Sequence, residues 1–290
     1  MERAGSLPPV DSTGPYADTL FEEIPAFQSW SEGNVAQARA QLVAYDNGRM
    51  PPDPERIWFF YSALGELNEA ERHIRHISDD DDRHFFYGWL AFLKGDQQLA
   101  RKNFEQVKLD LSIAGNSVFV VLGRCGLWNK VEKNIQKSSH NDPGNEIVRG
   151  EHALMAGRTE EGIALLEKGT EAMQMMPTGA FYLGSESLAG AYQKQGNFEA
   201  ALRVLQRASH AKGKAYNCIG DWHMLGALWL RTEWQLAELY RAMGRSADAE
   251  KVEDELRKML VYADADHPIF RELQRRTNIS VNSPVKREGD

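Results

Sequence analysis

Apolar and small residues recur along the chain with helical spacing, and each such stretch ends at a glycine that is followed by a second stretch of the same kind. Successive glycines of this type stand 32, 30, 31, 31, 39 and 48 residues apart. Glycine tolerates the left-handed backbone conformation that closes a helix. The pattern therefore predicts seven helix pairs, with their turns at Gly33, Gly65, Gly95, Gly126, Gly157, Gly196 and Gly244.

The residues around these glycines repeat as well. Five positions after each glycine stands a residue that is small in most copies: Ala38, Ala70, Ala100, Val131, Gly162, Ala201 and Ala249. Nine positions after six of the glycines stands an apolar residue: Leu42, Ile74, Phe104, Ile135, Leu166 and Leu205. A small residue lets two helices approach closely, and an apolar residue one turn later fills the space between them. We therefore expect the second helix of each pair to pack closely on the first.

This pattern resembles the tetratricopeptide repeat (TPR), whose signature has a small residue and a tyrosine in helix A, a turn glycine, and then alanine and phenylalanine in helix B. The best copies are residues 87–104 and 188–205. The chain departs from the family at Val131 and Gly162, where alanine is expected, and its first intervals are shorter than the usual 34 residues. The resemblance implies an all-α fold, a right-handed α-solenoid of about seven TPR-like helix-turn-helix repeats.

The domain organisation follows from the extent of the repeats. We predict a flexible lead-in over residues 1–18, a TPR-like solenoid over 19–277 and a disordered tail over 278–290. The repeats within 167–277 are stretched, and loops are expected at 173–184 and 212–221. Directly after the second loop, the pattern predicts one helix of about 22 residues from Trp222 to Met243, capped by Asp221.

The last repeat, residues 236–269, resembles the C-terminal end of TPR arrays attached to bacterial serine/threonine kinases and winged-helix regulators. That resemblance implies a signalling-associated sensor or docking module. Within the segment, residues 264–268 are expected to form the turn before a closing helix over 269–276.

In TPR arrays the inward-facing residues of helix A line a concave groove that holds peptides. The matching positions mix aromatic side chains with both signs of charge, as is typical of a peptide groove. The alternative for the aromatic residues, Trp89 and Trp234 above all, is a place in the core. The resemblance implies the groove residues Phe59, Trp89, Phe92, Arg124, Glu151, Met155, Glu186, Gln193, Lys194, Trp234, Glu238 and Arg241.

Composition excludes several classes of function. The net charge of -8 disfavours nucleic acid and anionic membranes as partners, because both attract clustered lysine and arginine. Two isolated cysteines suit a reducing compartment, and the chain has neither a secretory signal nor about 20 consecutive apolar residues. We therefore expect a cytoplasmic protein.

Two constellations suggest chemistry, and each has a simpler interpretation. His73, His76 and His84 flank the run 79–82 of four aspartates, which suggests a metal site, but the last aspartate of the run is better explained as the cap of a helix that begins near Arg83. Cys218 stands near Asp221 and His223 without any oxyanion-hole signature. We therefore predict no catalytic residue, metal or cofactor.

Two functions stay open. The first is a non-enzymatic scaffold that binds a protein or peptide partner in its groove. The second is a ligand-sensing regulatory module with a pocket at the irregular C-terminal repeats, since segments that interrupt regular repeats often carry function.

Overall fold

A computed structural model describes residues 25–48, 54–108, 115–135, 142–175, 177–212 and 225–282. These residues are all-helical and contain no strand. The predicted all-α class is thereby confirmed. The helices are α1 (25–31), α2 (Val35–Gly48), α3 (Pro54–Leu64), α4 (Leu67–Ile74), α5 (Asp80–Leu93), α6 (Gln97–Gln106), α7 (Asn116–Arg124), α8 (Trp128–Ile135), α9 (Pro143–Met155), α10 (Thr159–Met173), α11 (Gly179–Lys194), α12 (Phe198–Ser209), α13 (Leu225–Ala242), α14 (Ser246–Met259) and α15 (Pro268–Asn282).

All seven predicted glycines join two helices with a left-handed backbone, at φ values between 73° and 84°. At Gly196, for example, the glycine N–H donates to Gln193 O at 2.9 Å and the next N–H, of Asn197, donates to Tyr192 O at 2.9 Å. The same two bonds recur at the other six turns. This pair of bonds is the Schellman motif, which satisfies carbonyl groups at the end of a helix. The predicted turn positions are therefore confirmed.

In two helix pairs, a glycine of the first helix packs against a large apolar side chain of the second helix. A Cβ atom added to Gly88 of α5 would lie 2.7 Å from the ring of Phe104 in α6, and one added to Gly150 of α9 would lie 2.7 Å from Leu166 in α10. Both large side chains are almost fully buried. The apolar residue nine positions after the turn glycine therefore packs, in these two pairs, directly on a glycine seven positions before that turn.

The two ends of the helix array meet. Helix α13 packs against α3, where a Cβ atom on Gly226 would come within 2.4 Å of the Ala63 methyl group. Trp30 of α1 donates its indole N–H to Ala63 O at 3.0 Å, and its ring meets Trp229 of α13 edge-on at 5.6 Å. Helices α1 and α3 therefore share one interface with α13.

The turn after α14 extends this interface to the start of α4. The Asp264 N–H donates to Gly65 O at 3.1 Å, and its carboxylate accepts the Asn68 N–H at 2.7 Å. A Cβ atom on Gly65 would lie 2.7 Å from that of Ala263. Asp264 thus caps α4 across 196 positions of sequence, while Glu66, the residue before α4, makes no side-chain cap. We call this closure the seam, formed by Trp30, Ala63, Gly65 and Asn68 on one side and Gly226, Trp229, Ala263 and Asp264 on the other.

Several predicted element boundaries are wrong. Helix α5 begins at Asp80 and not near Arg83, because the Asp79 carboxylate accepts the N–H groups of Asp81 and Asp82 and so acts as the cap. Residues 179–184 belong to α11 and not to a loop. The closing helix α15 is longer than predicted and runs past residue 277, the expected end of the array.

Other predictions fall on residues outside the described part of the chain. These are the lead-in over 1–18, most of the loop at 212–221 with its cap Asp221, and the Cys218–His223 pair. Of the predicted helix from Trp222 to Met243, the described portion is α13, which has 18 residues and ends at Ala242.

Candidate binding site

A buried arginine at the end of α7 organises the interior. Arg124 contacts the Glu186 carboxylate of α11 at 3.0 Å and the Glu151 carboxylate of α9 at 2.8 Å. It also donates to Leu183 O at 2.7 Å and to the Ser187 hydroxyl at 2.8 Å. Its side chain is only 14% exposed. One guanidinium therefore ties together three helices whose sequence positions span more than 60 residues.

The Glu186 carboxylate also accepts hydrogen bonds from two residues of α13. Arg231 donates to it at 2.7 Å and Gln235 donates to it at 2.7 Å. The Arg231 guanidinium also lies over the ring of Phe92 of α5, 4.8 Å from its centroid, in a cation–π arrangement. We call Arg124, Glu151, Glu186 and Arg231 the central cluster. It contains two cations and two anions on four helices.

Opposite charges in the central cluster shift each other's pKa values so that the charged forms are favoured. Burial disfavours a charged Arg124, but the carboxylates of Glu151 and Glu186 outweigh it and raise the arginine pKa above its ordinary value. Burial likewise raises the pKa of Glu186, yet Arg231 and Arg124 outweigh it and bring that pKa down to about 2. Both groups are therefore charged at neutral pH, and neither can lose its partners without leaving a buried charge uncompensated.

Two spaces lie beside the central cluster. The first, the α9–α11 cleft, has a volume of about 410 Å³ and includes Arg124, Glu151, Met155 and Lys194 in its walls, with Gln97, Thr159 and Ser187. Met155 is 54% exposed and accepts the indole N–H of Trp128 at its sulfur, 2.9 Å away. Lys194 is exposed and forms no ion pair with the described residues. This cleft therefore offers an exposed apolar side chain and an unpaired cation.

The second space, the seam cavity, has a volume of about 240 Å³. Ser62, Leu67 and Leu93 line it from the first half of the chain, and Trp234 and His267 are among the residues that line it from α13 and the start of α15. Glu186 lines the seam cavity whereas Arg124 lines the α9–α11 cleft, so their ion pair lies between the two spaces.

The structure brings together six of the twelve predicted groove residues around these two spaces. They are Arg124, Glu151, Met155 and Lys194 at the α9–α11 cleft, and Glu186 and Trp234 at the seam cavity.

Three predicted groove residues are core residues. Phe59, Trp89 and Phe92 are each less than 9% exposed. Trp89 packs edge-on against Phe92, with ring centroids 5.9 Å apart, and Phe59 packs against the rings of Trp58 and Phe86, which also contact each other. Trp89 is therefore a core residue, which is the alternative interpretation given above, and all three aromatic side chains are covered by neighbouring groups, Phe92 among others by the guanidinium of Arg231 from α13.

Helices α14 and α15 engage the remaining predicted residues on α13, Glu238 and Arg241. Arg276 of α15 stacks on Trp234 at 4.4 Å and contacts the carboxylates of Glu238 and Glu253. Arg241 pairs with the buried Glu253 at 2.8 Å. The expected groove face of α13 is thus engaged by the chain itself. Gln193, on α11, is half-buried and lines neither space.

Three residues with hydrogen bonds in the central cluster were not predicted from the sequence: Arg231, Gln235 and Ser187. Arg231 had a signal, since it is the first charged residue after the apolar run from Leu225 to Leu230. A charged residue on a helix that is otherwise buried must find a partner. Neither Ser187 nor Gln235 carries a comparable signal.

The histidines near the aspartate run have other partners. His73 is buried, stacks on Tyr61 and lies 3.2 Å from the Asp46 carboxylate. Burial lowers the pKa of His73. His84 contacts Asn103 at 3.2 Å, and His76 is exposed. In the described ranges no three His, Cys, Asp or Glu side chains stand close enough to hold a metal ion.

Cys125 is buried, and burial raises the pKa of its thiol to about 11, so it lacks the thiolate character of a reactive cysteine.

None of the described helices has the length and apolar character needed to cross a membrane.

Comparison with known families gives one match, to the tetratricopeptide repeat, over residues 186–207. The matched residues contain the second half of α11, the turn at Gly196 and most of α12. A comparison with curated proteins gives no match. The match supports a TPR-like family, which is generally non-catalytic and typical of protein interaction modules.

Proposed function

We propose that this protein is a non-enzymatic interaction module that binds a peptide or partner helix in the α9–α11 cleft. The fold we propose is a right-handed solenoid of seven TPR-like repeats, and the setting we propose is cytoplasmic signalling or regulation in a bacterium. The observation that carries the proposal is the position of the cleft. Its wall on α11 includes Lys194, which lies within the residues that match the TPR family.

The chemistry of the cleft favours a particular partner. Exposed Met155 offers an adaptable apolar contact for one side chain of the partner. Lys194 offers an unpaired ammonium group one helix away. Glu151 and Arg124 neutralise each other at the base of the cleft. The partner segment that fits best carries an apolar side chain next to an acidic one.

Lys194 is the position at which a charge reversal tests this proposal cleanly. Reversing Arg124 would place a third carboxylate beside Glu151 and Glu186, and reversing Arg241 would place one beside the buried Glu253. Both of those changes would disturb the fold before they informed on binding.

The experiment selects binding peptides against the whole protein and then measures their affinity for variants. We expect Lys194→Glu and Met155→Ala each to weaken binding by about tenfold or more, the usual effect at an interface anchor. Lys102→Glu and Met175→Ala are matched controls, since both side chains are exposed and line neither space. Selected peptides that bind all four variants as tightly as the wild type would contradict the cleft.

A second function, sensing of a small ligand, is favoured by the seam cavity. The cavity lies at the irregular C-terminal repeats, and its walls come from both ends of the array. A ligand held there would contact both sides of the closure at once, so its binding would change the stability of the seam.

A further inference from the structure

The seam cavity has apolar side chains on both walls and an arginine on one of them. Leu67 and Leu93 contribute apolar surface from α4 and α5. Across the cavity, Trp234 and Ile269 contribute further apolar surface, and Arg271 contributes a guanidinium. Binding sites for small molecules combine such an apolar lining with a few placed polar groups. The identity of the ligand therefore depends on which polar groups are still free to bind.

The carboxylates that line the seam cavity are already engaged. Glu186 accepts hydrogen bonds from Arg124, Arg231 and Gln235. Glu272 accepts one from Arg275 at 2.9 Å. Neither carboxylate needs a cationic ligand to compensate it.

Arg271 differs from these groups. Its side chain is exposed and makes no ion pair within the described part of the chain. The other cation of the lining, Arg231, is balanced by Glu186. Among the two cations and two carboxylates that line the cavity, Arg271 is therefore the group without an ion pair to the described residues, and its guanidinium favours an anionic ligand.

His267 adds a neutral donor. Its Nδ1 atom faces the Phe270 N–H at 3.4 Å, at the start of α15, so Nδ1 is the acceptor and the ring proton is on Nε2. Burial lowers the pKa of His267 to about 4, which keeps the ring neutral at physiological pH. The ring lines the cavity and is 6% exposed.

We propose that the seam cavity binds a small organic monocarboxylate with an apolar body. Arg271 and the Nε2–H group of His267 receive the carboxylate, and the apolar body lies between Leu67 and Leu93 on one wall and Trp234 and Ile269 on the other. The volume of about 240 Å³ limits the ligand to a molecule below usual drug size. This inference rests on the sensing function proposed above and is independent of the α9–α11 cleft.

Binding of this ligand tightens the seam. The ligand contacts α4 and α5 on one side and α13 and α15 on the other, and opening of the seam separates these contacts. A ligand that binds only the closed form shifts the opening equilibrium toward that form by a factor of 1 + L/Kd, where L is the free ligand concentration. The backbone amides of Asn68 and Asp264, which donate across the seam, report on this directly by hydrogen exchange.

The test uses the full chain, with phenylacetate as the probe and phenylacetamide as its neutral equivalent in shape. We expect calorimetry to detect phenylacetate binding, with the amide and the Arg271→Gln variant each weaker by about tenfold, the usual consequence of losing a charge-assisted contact. Arg203→Gln is the matched control, since this arginine of α12 is exposed and has no ion pair among the residues that the structure describes. Ala227→Leu fills the cavity and is expected to abolish binding; should it misfold, Arg271→Gln at an exposed position still decides the question.

The outcomes separate the inference from the function on which it rests. Absence of binding for benzoate, phenylacetate and indole-3-acetate at millimolar concentration would overturn the carboxylate site, as would equal binding of the amide or of Arg271→Gln. Carboxylate binding that leaves exchange at Asn68 and Asp264 unchanged would support the site and contradict the sensing function.

Discussion

The seam and the central cluster hold distant helices together by different physics. At the seam, Ala63 meets Gly226 and Gly65 meets Ala263, so the contact depends on the smallness of the residues. In the central cluster, by contrast, Arg124 lies between two carboxylates and the contact depends on balanced charge. The difference means that a change of size should open the seam, whereas a change of charge should break the cluster.

The largest effect is expected from removing the central cation. Arg124→Met leaves Glu151 without its cationic partner and Glu186 with Arg231 alone. Loss of one member of a buried ion pair costs about 3–5 kcal/mol. Denaturant unfolding of Arg124→Met measures it, with Arg203→Met as a surface control expected to change stability by less than about 0.5 kcal/mol. A loss below about 1 kcal/mol for Arg124→Met would show that the cluster is dispensable.

The seam is tested by two glycines with the same backbone conformation. Gly65 and Gly95 have φ values of 79° and 81°, but a Cβ atom meets Ala263 and Leu260 at Gly65 and nothing within 4 Å at Gly95. Gly95→Ala should therefore cost only the left-handed conformation, about 1 kcal/mol. Gly65→Ala adds overpacking and should cost about 2–4 kcal/mol in the free energy of unfolding. Equal losses for the two variants would mean that the seam does not press on Gly65.

Glu233 is a buried glutamate close to the seam, and it makes the stability of the protein depend on pH. Glu233 of α13 is 5% exposed and lies near Lys212, whose ammonium group contacts the rings of Trp30 and Trp229 at the seam. Burial raises the pKa of Glu233 to about 7, in spite of opposing contributions from Ser209 and Lys212. Below the ordinary pKa of 4.5, Glu233 is protonated in the folded and the unfolded protein, and the stability of the fold is fully present. This stability is lost as the pH rises through 7, because the folded protein must then hold a charged carboxylate in a buried position.

Glu233→Gln removes this loss. We expect the variant to match the wild type near pH 4 and to exceed it by about 1–3 kcal/mol near pH 8, because the amide needs no ionisation. Glu199→Gln, at an exposed position on α12, is the matched control for the loss of one carboxylate. Denaturant unfolding at both pH values measures the difference, and a Glu233→Gln variant without any gain at pH 8 would contradict a raised pKa.

The two kinds of contact also explain how far the sequence alone could go. The seven turns follow from local rules, because a Schellman turn is formed within six residues around its glycine. The seam does not, because Asp264 caps a helix 196 positions away. Nothing in the run from 264 to 268 indicates that partner, and it reads equally well as a simple turn before α15.

The candidate site was predicted in part for the same reason. Offsets from the glycines placed Arg124, Glu151 and Glu186 on one inner surface, and these three side chains meet. The same offsets also selected Trp89, which is fully buried. Helical spacing fixes which face a residue occupies, but whether that face is covered depends on helices elsewhere in the chain.

The central claim is that residues 30–68 and residues 226–264 meet at the seam, and the Asn68 amide tests it most directly. Asn68 is the second residue of α4, where a backbone N–H has no partner within its helix, and its acceptor is the Asp264 carboxylate. Gln98 holds the same position in α6 and is the internal reference. We predict that Asn68 exchanges its amide hydrogen about tenfold or more slowly than Gln98, and that Asp264→Ala, but not Asp266→Ala, removes this protection. Equal exchange at Asn68 and Gln98 in the wild type, or protection that survives Asp264→Ala, would contradict the closed arrangement.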